Sequence, residues 1–127
     1  KTRMLAFDGV NFIKLGNNKK AMQELHEYLE IYLNGTHRHE ALQHIAEMHF
    51  KNYDYLKAIA VYKKLYEEFS STEEGLKAFF TIGLCYKKIG YDDKAMRVFK
   101  TLVKNYPGTS YAFQAKLQLN LLEIIKN

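Results

Sequence analysis

Apolar residues recur every three or four positions along most of the chain, which is the spacing of one face of an α-helix. Short polar or glycine-containing stretches interrupt this spacing. In the clearest stretch, from Leu76 to Thr109, Gly90 separates two predicted helices and Pro107 ends the second, since proline lacks a backbone N–H and fixes its own φ. The pattern predicts seven helices and no strand, with the first four at about 2–15, 19–33, 37–51 and 55–69.

Helix starts are predicted from Ser, Thr and Asp residues, whose side-chain oxygens can accept the unpaired N–H groups of a first turn. Thr36 and Asp54 precede the third and fourth helices. The caps also predict the remaining boundaries: a fifth helix from Ser71 or Thr72 to Ile89, a sixth from Asp92 or Asp93 to near Tyr106, and a seventh from Thr109 or Ser110 to about Lys126.

The helical pattern repeats with a period of 37 residues. Positions separated by this interval carry similar side chains: Ala41 and Ala78, Ile45 and Ile82, Ala46 and Gly83, Ala58 and Ala95, Tyr62 and Phe99, Leu65 and Leu102. One step back from Ala58 reaches Ala21, and one step forward from Ala78 reaches Ala115. Because one register holds without a gap, we predict helix-turn-helix repeats that bury one another's apolar faces.

Six residues of the third repeat carry a resemblance to a known family: Gly83, Tyr86, Gly90, Ala95, Phe99 and Pro107. Their spacing resembles the tetratricopeptide repeat (TPR), in which small residues let two helices approach closely. The resemblance implies an all-α fold, a right-handed α-α superhelix of three helix-turn-helix repeats at about 2–35, 39–72 and 76–109, in a single domain over residues 1–127. A helix at about 110–126 is expected to cap the array, since the polar residues Asn120 and Glu123 stand one period after Gly83 and Tyr86.

In TPR proteins the first helix of each repeat lines a concave groove, so the resemblance implies which residues face a partner. These positions are Arg3, Lys14, Gln43, Glu47, Phe50, Lys51, Lys77, Phe80, Leu84, Lys87 and Lys88. Phe50, Phe80 and Leu84 are apolar where the packing of the repeat does not demand it, and lysines surround them. An apolar floor with a basic rim favours an extended peptide that carries aromatic residues and an acidic group. The alternative is that Phe50 and Phe80 pack against neighbouring helices and that the lysines are solvated.

The composition argues against several function classes. No apolar run is long enough to span a membrane, and the net charge of +5 is spread among interleaved acids without a nucleic-acid-binding motif. No phosphate loop, catalytic triad or zinc-binding spacing occurs, so the sequence predicts no enzyme, cofactor or metal site. We interpret His37, His39 and His44 as exposed residues near a helix start, and Cys85 as a small buried apolar residue.

The junction Tyr106-Pro107-Gly108-Thr109-Ser110-Tyr111-Ala112 narrows the resemblance. It is similar to junctions of bacterial envelope TPR proteins, namely the BamD group of outer-membrane barrel-assembly lipoproteins and the Tol-Pal-associated coordinators (the YbgF/CpoB group). The BamD resemblance implies a periplasmic scaffold that binds barrel-assembly proteins and is anchored to the outer membrane only through a lipid outside this chain. The alternatives are a Tol-Pal-associated coordinator and a cytosolic TPR adaptor.

Overall fold

The computed structural model describes residues 18–31 and 37–126, and all regular secondary structure in these ranges is helical. The helices are α1 (Asn18–Ile31), α2 (Arg38–Lys51), α3 (Tyr55–Phe69), α4 (Glu73–Lys88), α5 (Asp92–Asn105) and α6 (Ser110–Lys126). The predicted helix at 2–15 and the predicted cap Thr36 lie outside the described residues. The limits proposed for the three repeats remain predictions.

The residues that precede the helices only partly match the predicted caps. Thr72 caps α4 as predicted, because its Oγ1 accepts a hydrogen bond from the backbone N–H of Gly75 at 3.1 Å. The prediction that Asp92 or Asp93 caps α5 is wrong, since the N-cap is Tyr91, which makes no side-chain capping bond. The two aspartates instead lie in the first turn, where the helix dipole favours negative charge.

The described residues form two compact units, one ending at Val61 and the other beginning at Tyr62, so the division falls within α3. In the first unit α1 packs on α2. Its core contains Leu25, Tyr28, Ala41 and Ile45, with Met22 and Val61 packed against them. The Tyr28 hydroxyl also accepts a hydrogen bond from the backbone N–H of His37 at 3.3 Å, which ties α1 to the start of α2.

In the second unit α5 packs against both α4 and α6, and α4 also contacts α6. Gly83 faces the ring of Phe99, and both residues are buried. The rings of Tyr66 and Phe79 are stacked with their centroids 4.2 Å apart, and the Tyr66 hydroxyl is 2.9 Å from the hydroxyl of Tyr106. Burial and this hydrogen bond raise the pKa of Tyr66 to about 12.

Burial follows the 37-residue register. The second helices of the repeats begin at Asn18, Tyr55 and Asp92, each 37 positions after the one before. The equivalent alanines of these helices are fully buried: Ala21, Ala58 and Ala95. A second set of equivalent positions is also buried in the first helices: Met48, Cys85 and Leu122. The interpretation of Cys85 as a buried apolar residue is therefore confirmed.

The turns inside successive repeats share one hydrogen-bonding pattern. After α2, the N–H groups of residues 52, 53 and 54 donate to the carbonyl oxygens of residues 48, 50 and 49, and after α4 the same three bonds recur 37 positions later. The central residues, Tyr53 and Gly90, both have left-handed backbones, with φ of 62° and 83°. Glycine adopts this conformation without steric cost, whereas the Cβ of Tyr53 makes the same conformation costly.

The junctions between repeats are also alike. Thr72 donates from its hydroxyl to the carbonyl oxygen of Phe69 at 2.6 Å and accepts from Gly75 N. Thr109 donates to the carbonyl oxygen of Tyr106 at 2.8 Å and accepts from the backbone N–H of Ala112 at 3.1 Å. One threonine therefore closes the end of a helix and caps the next one at both places.

Candidate partner-binding surface

In the first unit, the predicted groove residues that the structure describes lie on α2. Gln43 and Glu47 are half-buried and bonded to each other, with the Gln43 amide donating to the Glu47 carboxylate at 2.8 Å. Phe50 is half-buried, and its ring meets that of Tyr55 edge-on at a centroid distance of 5.3 Å. Lys51 is exposed at the end of α2. Two further predicted groove residues, Arg3 and Lys14, lie outside the described residues.

In the second unit, the predicted groove residues lie on α4 and differ in exposure. Lys77 and Lys88 are exposed, whereas Leu84 is half-buried. Lys87 is half-buried and donates to the side-chain oxygen of Gln118 on α6 at 2.8 Å. The lysines of α4 therefore do not form one free basic rim, because one of them ties α4 to α6.

Phe80 lies in the core rather than on an open floor. Only 7% of its surface is exposed, and its ring lies 5.6 Å from that of Phe99 and 6.1 Å from that of Tyr111. The expectation that packing does not demand an aromatic residue here is wrong, because the next repeat supplies Tyr111 over it. That the predicted groove residues contact a partner remains a prediction.

A larger apolar surface lies on α6, where no groove residue was predicted. We call it the α6 stripe, and it consists of Phe113, Leu117, Leu121, Ile124 and Ile125. These side chains are between 46% and 71% exposed. Phe113, Leu117, Leu121 and Ile125 are each four residues apart, which places them on one side of the helix, and Ile124 is three residues after Leu121. The sequence does contain a signal for two of them, since one period after Phe80 and Leu84 come Leu117 and Leu121.

Aromatic side chains also lie at the turns inside the repeats. Tyr53 is 79% exposed, and its ring lies 6.3 Å from that of Tyr55. In the second unit, Tyr86 and Tyr91 are stacked at 6.4 Å, and the ammonium of Lys94 lies 5.7 Å and 5.3 Å from their ring centroids. Lys94 can therefore make cation–π contacts that hold this turn together.

Among residues 18–31 and 37–126, no cluster of three His, Cys, Asp or Glu side chains could hold a metal ion. Burial raises the pKa of the Cys85 thiol to about 12, so the thiol is far from the reactive thiolate form. Burial also lowers the pKa of His49, an effect that Lys57 and His26 strengthen and Asp54 opposes. Among the described helices, none is long and apolar enough to cross a bilayer.

Comparison with known proteins gives one family. The model of a family described as intraflagellar transport protein 56 matches residues 9–123, which is most of the chain. This is a eukaryotic family of TPR-containing proteins, so the predicted all-α, TPR-type fold class is confirmed. No curated protein matches the chain.

The match overturns the narrower resemblance to bacterial envelope proteins. The assignment to the BamD or YbgF/CpoB groups is wrong, and with it the expectation of a bacterial, periplasmic lipoprotein that takes part in outer-membrane assembly. The bacterial resemblance rested on the junction at residues 106–112. The hydroxyl bonds of Thr109 recur at Thr72, so these bonds join successive helices of this chain, which is a structural role and not a mark of a compartment.

Proposed function

The chain belongs to the intraflagellar transport protein 56 family, and we propose that it is a cytosolic, non-enzymatic TPR adaptor that binds another protein of the intraflagellar transport machinery. The single observation that carries this proposal is the family match over residues 9–123, which joins a TPR-type fold to intraflagellar transport. A helical-repeat array offers its surface to helices or extended segments of other proteins.

The charge of the chain favours one kind of partner segment. The net charge is +5, and among the groove positions Lys51, Lys77 and Lys88 are exposed. Exposed cations attract a partner with acidic residues and speed its association. We therefore propose that the partner presents a peptide or helix with a net negative charge.

The test is made in a flagellated cell that expresses the tagged full-length protein. We expect the tagged protein to enter the flagellum and to move along it. A variant with Lys77→Glu and Lys88→Glu should lose this movement, because it reverses the charge of the proposed groove at two exposed positions. The matched control is Lys63→Glu with Lys64→Glu, which makes the same charge change at exposed positions of α3.

Two results would contradict the proposal. A wild-type protein that stays out of the flagellum would exclude the role in intraflagellar transport. Equal loss of movement in the groove variant and in the α3 control would show that net charge alone matters, and not the groove positions.

A further inference from the structure

One side of α5 carries a row of exposed cations. Arg97, Lys100 and Lys104 are three and four residues apart, so they follow one side of the helix over two turns, and all three are exposed. We call these three residues the α5 basic row. Lys94, which is also exposed, lies one turn before Arg97.

The net charge of the chain is concentrated around this row. Residues 1–93 contain 13 basic and 13 acidic residues, whereas residues 94–127 contain six basic residues and one acidic residue. Four of those six basic residues lie on α5. After Asp93, no acidic residue follows in the sequence until Glu123. The charge of +5 is therefore a local feature and not an average over the chain.

The repeat register shows that the other second helices differ from α5. One period before Lys100 and Lys104 stand Lys63 and Glu67 of α3, which carry opposite charges four residues apart. The acid recurs one further period before, as Glu30 of α1. Opposite charges at this spacing attract one another on a helix surface. On α5 a lysine takes the place of the acid, so the attraction is replaced by repulsion.

The α5 basic row does not help the helix to form. Lys100 has Arg97 three residues before it and Lys104 four residues after it, and its other neighbours at these distances, Met96 and Val103, carry no charge. Like charges at this spacing destabilise a helix. Lys104 lies in the last turn and offsets the helix dipole, but Lys100 lies in the middle of α5 and does not. A row that folding does not favour points to an anionic partner.

The exposure of this side of the helix is a property of the repeat. On α3, which has helices before and after it in the chain, the equivalent positions Ala60, Lys63 and Glu67 are exposed as well. The opposite side of α5, which contains Ala95, Phe99 and other buried residues, packs against α4 and α6.

We propose that the α5 basic row binds an extended segment of another protein that contains a run of Glu or Asp residues. This site goes beyond the groove proposed on the first helices, because it lies on the second helix of a repeat. Arg97 and Lys104 are seven residues apart, which is a rise of about 10 Å along the helix. About four residues of extended chain cover that length, so a short acidic run can place a carboxylate near each cation.

The side chains around the row favour this partner over others. The exposed residues of α5 are all polar or charged, so a partner helix would find no apolar side chain to pack on. A helix that lies on a membrane inserts its apolar face, which α5 buries against α4 and α6. A second copy of the chain would bring a basic row of its own and be repelled.

Single-stranded nucleic acid is a poorer match for a different reason. Its bases stack on open aromatic side chains. The exposed ring just before α5 is that of Tyr91, and it already contacts the ring of Tyr86 and the ammonium of Lys94. The row therefore offers charge without a surface on which bases can stack.

The first experiment uses a designed probe. A fluorescently labelled peptide with a run of about six Glu residues between Gly-Ser flanks is titrated with the chain at about 50 mM salt, where screening is weak, and its anisotropy is measured. We expect binding that weakens several-fold at about 300 mM salt, because salt screens exposed charges. The same peptide with Gln in place of Glu should not bind.

A pair of variants locates the binding site. Lys100→Gln with Lys104→Gln should weaken binding of the Glu probe about ten-fold, because it removes two of the three cations of the row. The matched control is Lys63→Gln with Lys64→Gln, which makes the same change in net charge at exposed positions of α3. It should leave the affinity within about two-fold of the original.

Thermal unfolding of single variants separates lost binding from lost structure. Lys100→Gln removes repulsion with Arg97 and Lys104, so it should weaken binding without lowering the melting temperature. Lys63→Gln removes the attraction to Glu67, so it should lower the melting temperature slightly and leave binding unchanged. A fall in melting temperature for Lys100→Gln would show that Lys100 serves the fold, and it would overturn the proposal.

Three binding results would also overturn it. The first is no binding of the Glu probe at about 50 mM salt. The second is equal weakening by the α5 and α3 double variants, which would show that net charge alone matters. The third is tighter binding of vesicles containing phosphatidylserine, or of a single-stranded DNA oligonucleotide, than of the Glu probe. In that case the row binds phosphate groups and not a protein segment.

The second experiment identifies the natural partner. A photo-crosslinking amino acid replaces Asn105, which is exposed next to Lys104, in the full-length protein in its own cells. The control is the same replacement at Glu68, the equivalent exposed position of α3. We expect crosslinks from position 105 alone, to an acidic run in a different protein. Crosslinks to lipid, to nucleic acid, to a second copy or to nothing would each overturn the proposal.

These results separate the α5 basic row from the adaptor function. If Lys77→Glu with Lys88→Glu stops flagellar movement and Lys100→Gln with Lys104→Gln keeps the affinity for the Glu probe, the groove stands and the α5 proposal fails. If the α5 variant loses that affinity while the wild-type protein stays out of the flagellum, the α5 proposal stands and the transport role fails.

Discussion

Gly83 and Phe99 approach so closely that a Cβ built on Gly83 would lie 2.5 Å from Cε1 and 2.8 Å from Cζ of the phenylalanine ring. Non-bonded carbon atoms do not approach one another this closely, so either the ring or the helix would have to move. The ring is fully buried and also meets Phe80, so it has little room to do so. The absence of a side chain at Gly83 is therefore what permits α4 and α5 to pack as they do.

We expect Gly83→Leu to lower the free energy of unfolding by about 3 kcal/mol, the upper part of the usual cost of overpacking a core. The melting temperature should fall by about 10 °C. Gly83→Ala combined with Phe99→Leu should recover part of the stability that Gly83→Ala loses, because Leu25 shows that the register accepts leucine at the phenylalanine position. An unchanged melting temperature in Gly83→Leu would mean that the two helices do not approach at this point.

Thr72 and Thr109 make the same hydroxyl bonds at the two junctions, so the same substitution can be compared at both. Thr72→Ala and Thr109→Ala each remove a capping bond to a backbone N–H and should each cost about 1 kcal/mol of stability in urea unfolding. Thr101→Ala is the control, since the Thr101 hydroxyl only donates to the Arg97 carbonyl within α5, and its loss should change stability by less than about 0.5 kcal/mol. Equal effects at all three threonines would show that the caps add no particular stability.

Tyr53 holds a left-handed backbone that costs a residue with a side chain roughly 1 kcal/mol. We expect Tyr53→Gly to leave stability unchanged or to raise it by up to about 1 kcal/mol, because its ring is exposed and only the contact with Tyr55 is lost. Gly90→Ala, at the equivalent turn, should have the opposite effect and lower stability by about 1 kcal/mol. If Tyr53→Gly destabilises the chain by more than that, the aromatic contact outweighs the backbone strain.

The stability of the protein should fall as the pH drops below about 6.5, because of His49. Its pKa is lowered in the folded state, so below pH 6.5 the unfolded chain binds a proton that the folded chain resists, and protonation favours unfolding. The loss begins near 6.5 and continues down to the lower pKa of the folded state. Urea unfolding at pH 7.5 and 5.5 measures it.

Two variants change this pH dependence in opposite directions. Lys57→Gln should reduce it, because Lys57 helps to lower the pKa of His49. Asp54→Asn should increase it, because the Asp54 carboxylate raises that pKa. If His49→Gln leaves the difference between pH 7.5 and 5.5 unchanged, another group is responsible.

Cys85 should resist thiol reagents in the folded protein. Its side chain is fully buried and its pKa is raised to about 12, so little thiolate is present and the reagent cannot reach it. Labelling at pH 8 should proceed only as fast as the chain opens, and it should become complete within the mixing time in concentrated urea. Fast labelling of the native protein would contradict the burial of this thiol.

The repeat register and the helix limits could be read from the sequence, because both depend on neighbours along the chain. α3 was predicted at 55–69 and is observed at Tyr55–Phe69, since Asp54 marks its start and the apolar face keeps one spacing throughout. The TPR resemblance implies a close helix approach at small residues such as Gly83 and Ala95. Gly83 indeed lies against the Phe99 ring.

The candidate site was harder to predict, because exposure depends on the next repeat and not on the residue itself. Phe80 and Leu117 are equivalent in the register, yet one is buried under Tyr111 and the other is 48% exposed. The left-handed backbone of Tyr53 is not predicted from its residue type, because tyrosine does not favour this conformation as glycine does. Only its equivalence to Gly90 in the register points to it. The predicted compartment is wrong because the junction at Thr109 joins helices and carries no mark of a compartment.

The paired junctions at Thr72 and Thr109 have a consequence for how this gene can change. Each junction uses the same two hydroxyl bonds, and the two lie one period apart, although the backbone of Gly108 is left-handed and that of the equivalent Ser71 is not. A cut made at one threonine and rejoined at the other would remove a whole repeat and restore an intact junction. Variation in length among relatives of this protein is therefore expected in steps of one period, and a repeat grafted between these two threonines should keep the glycine at position 108.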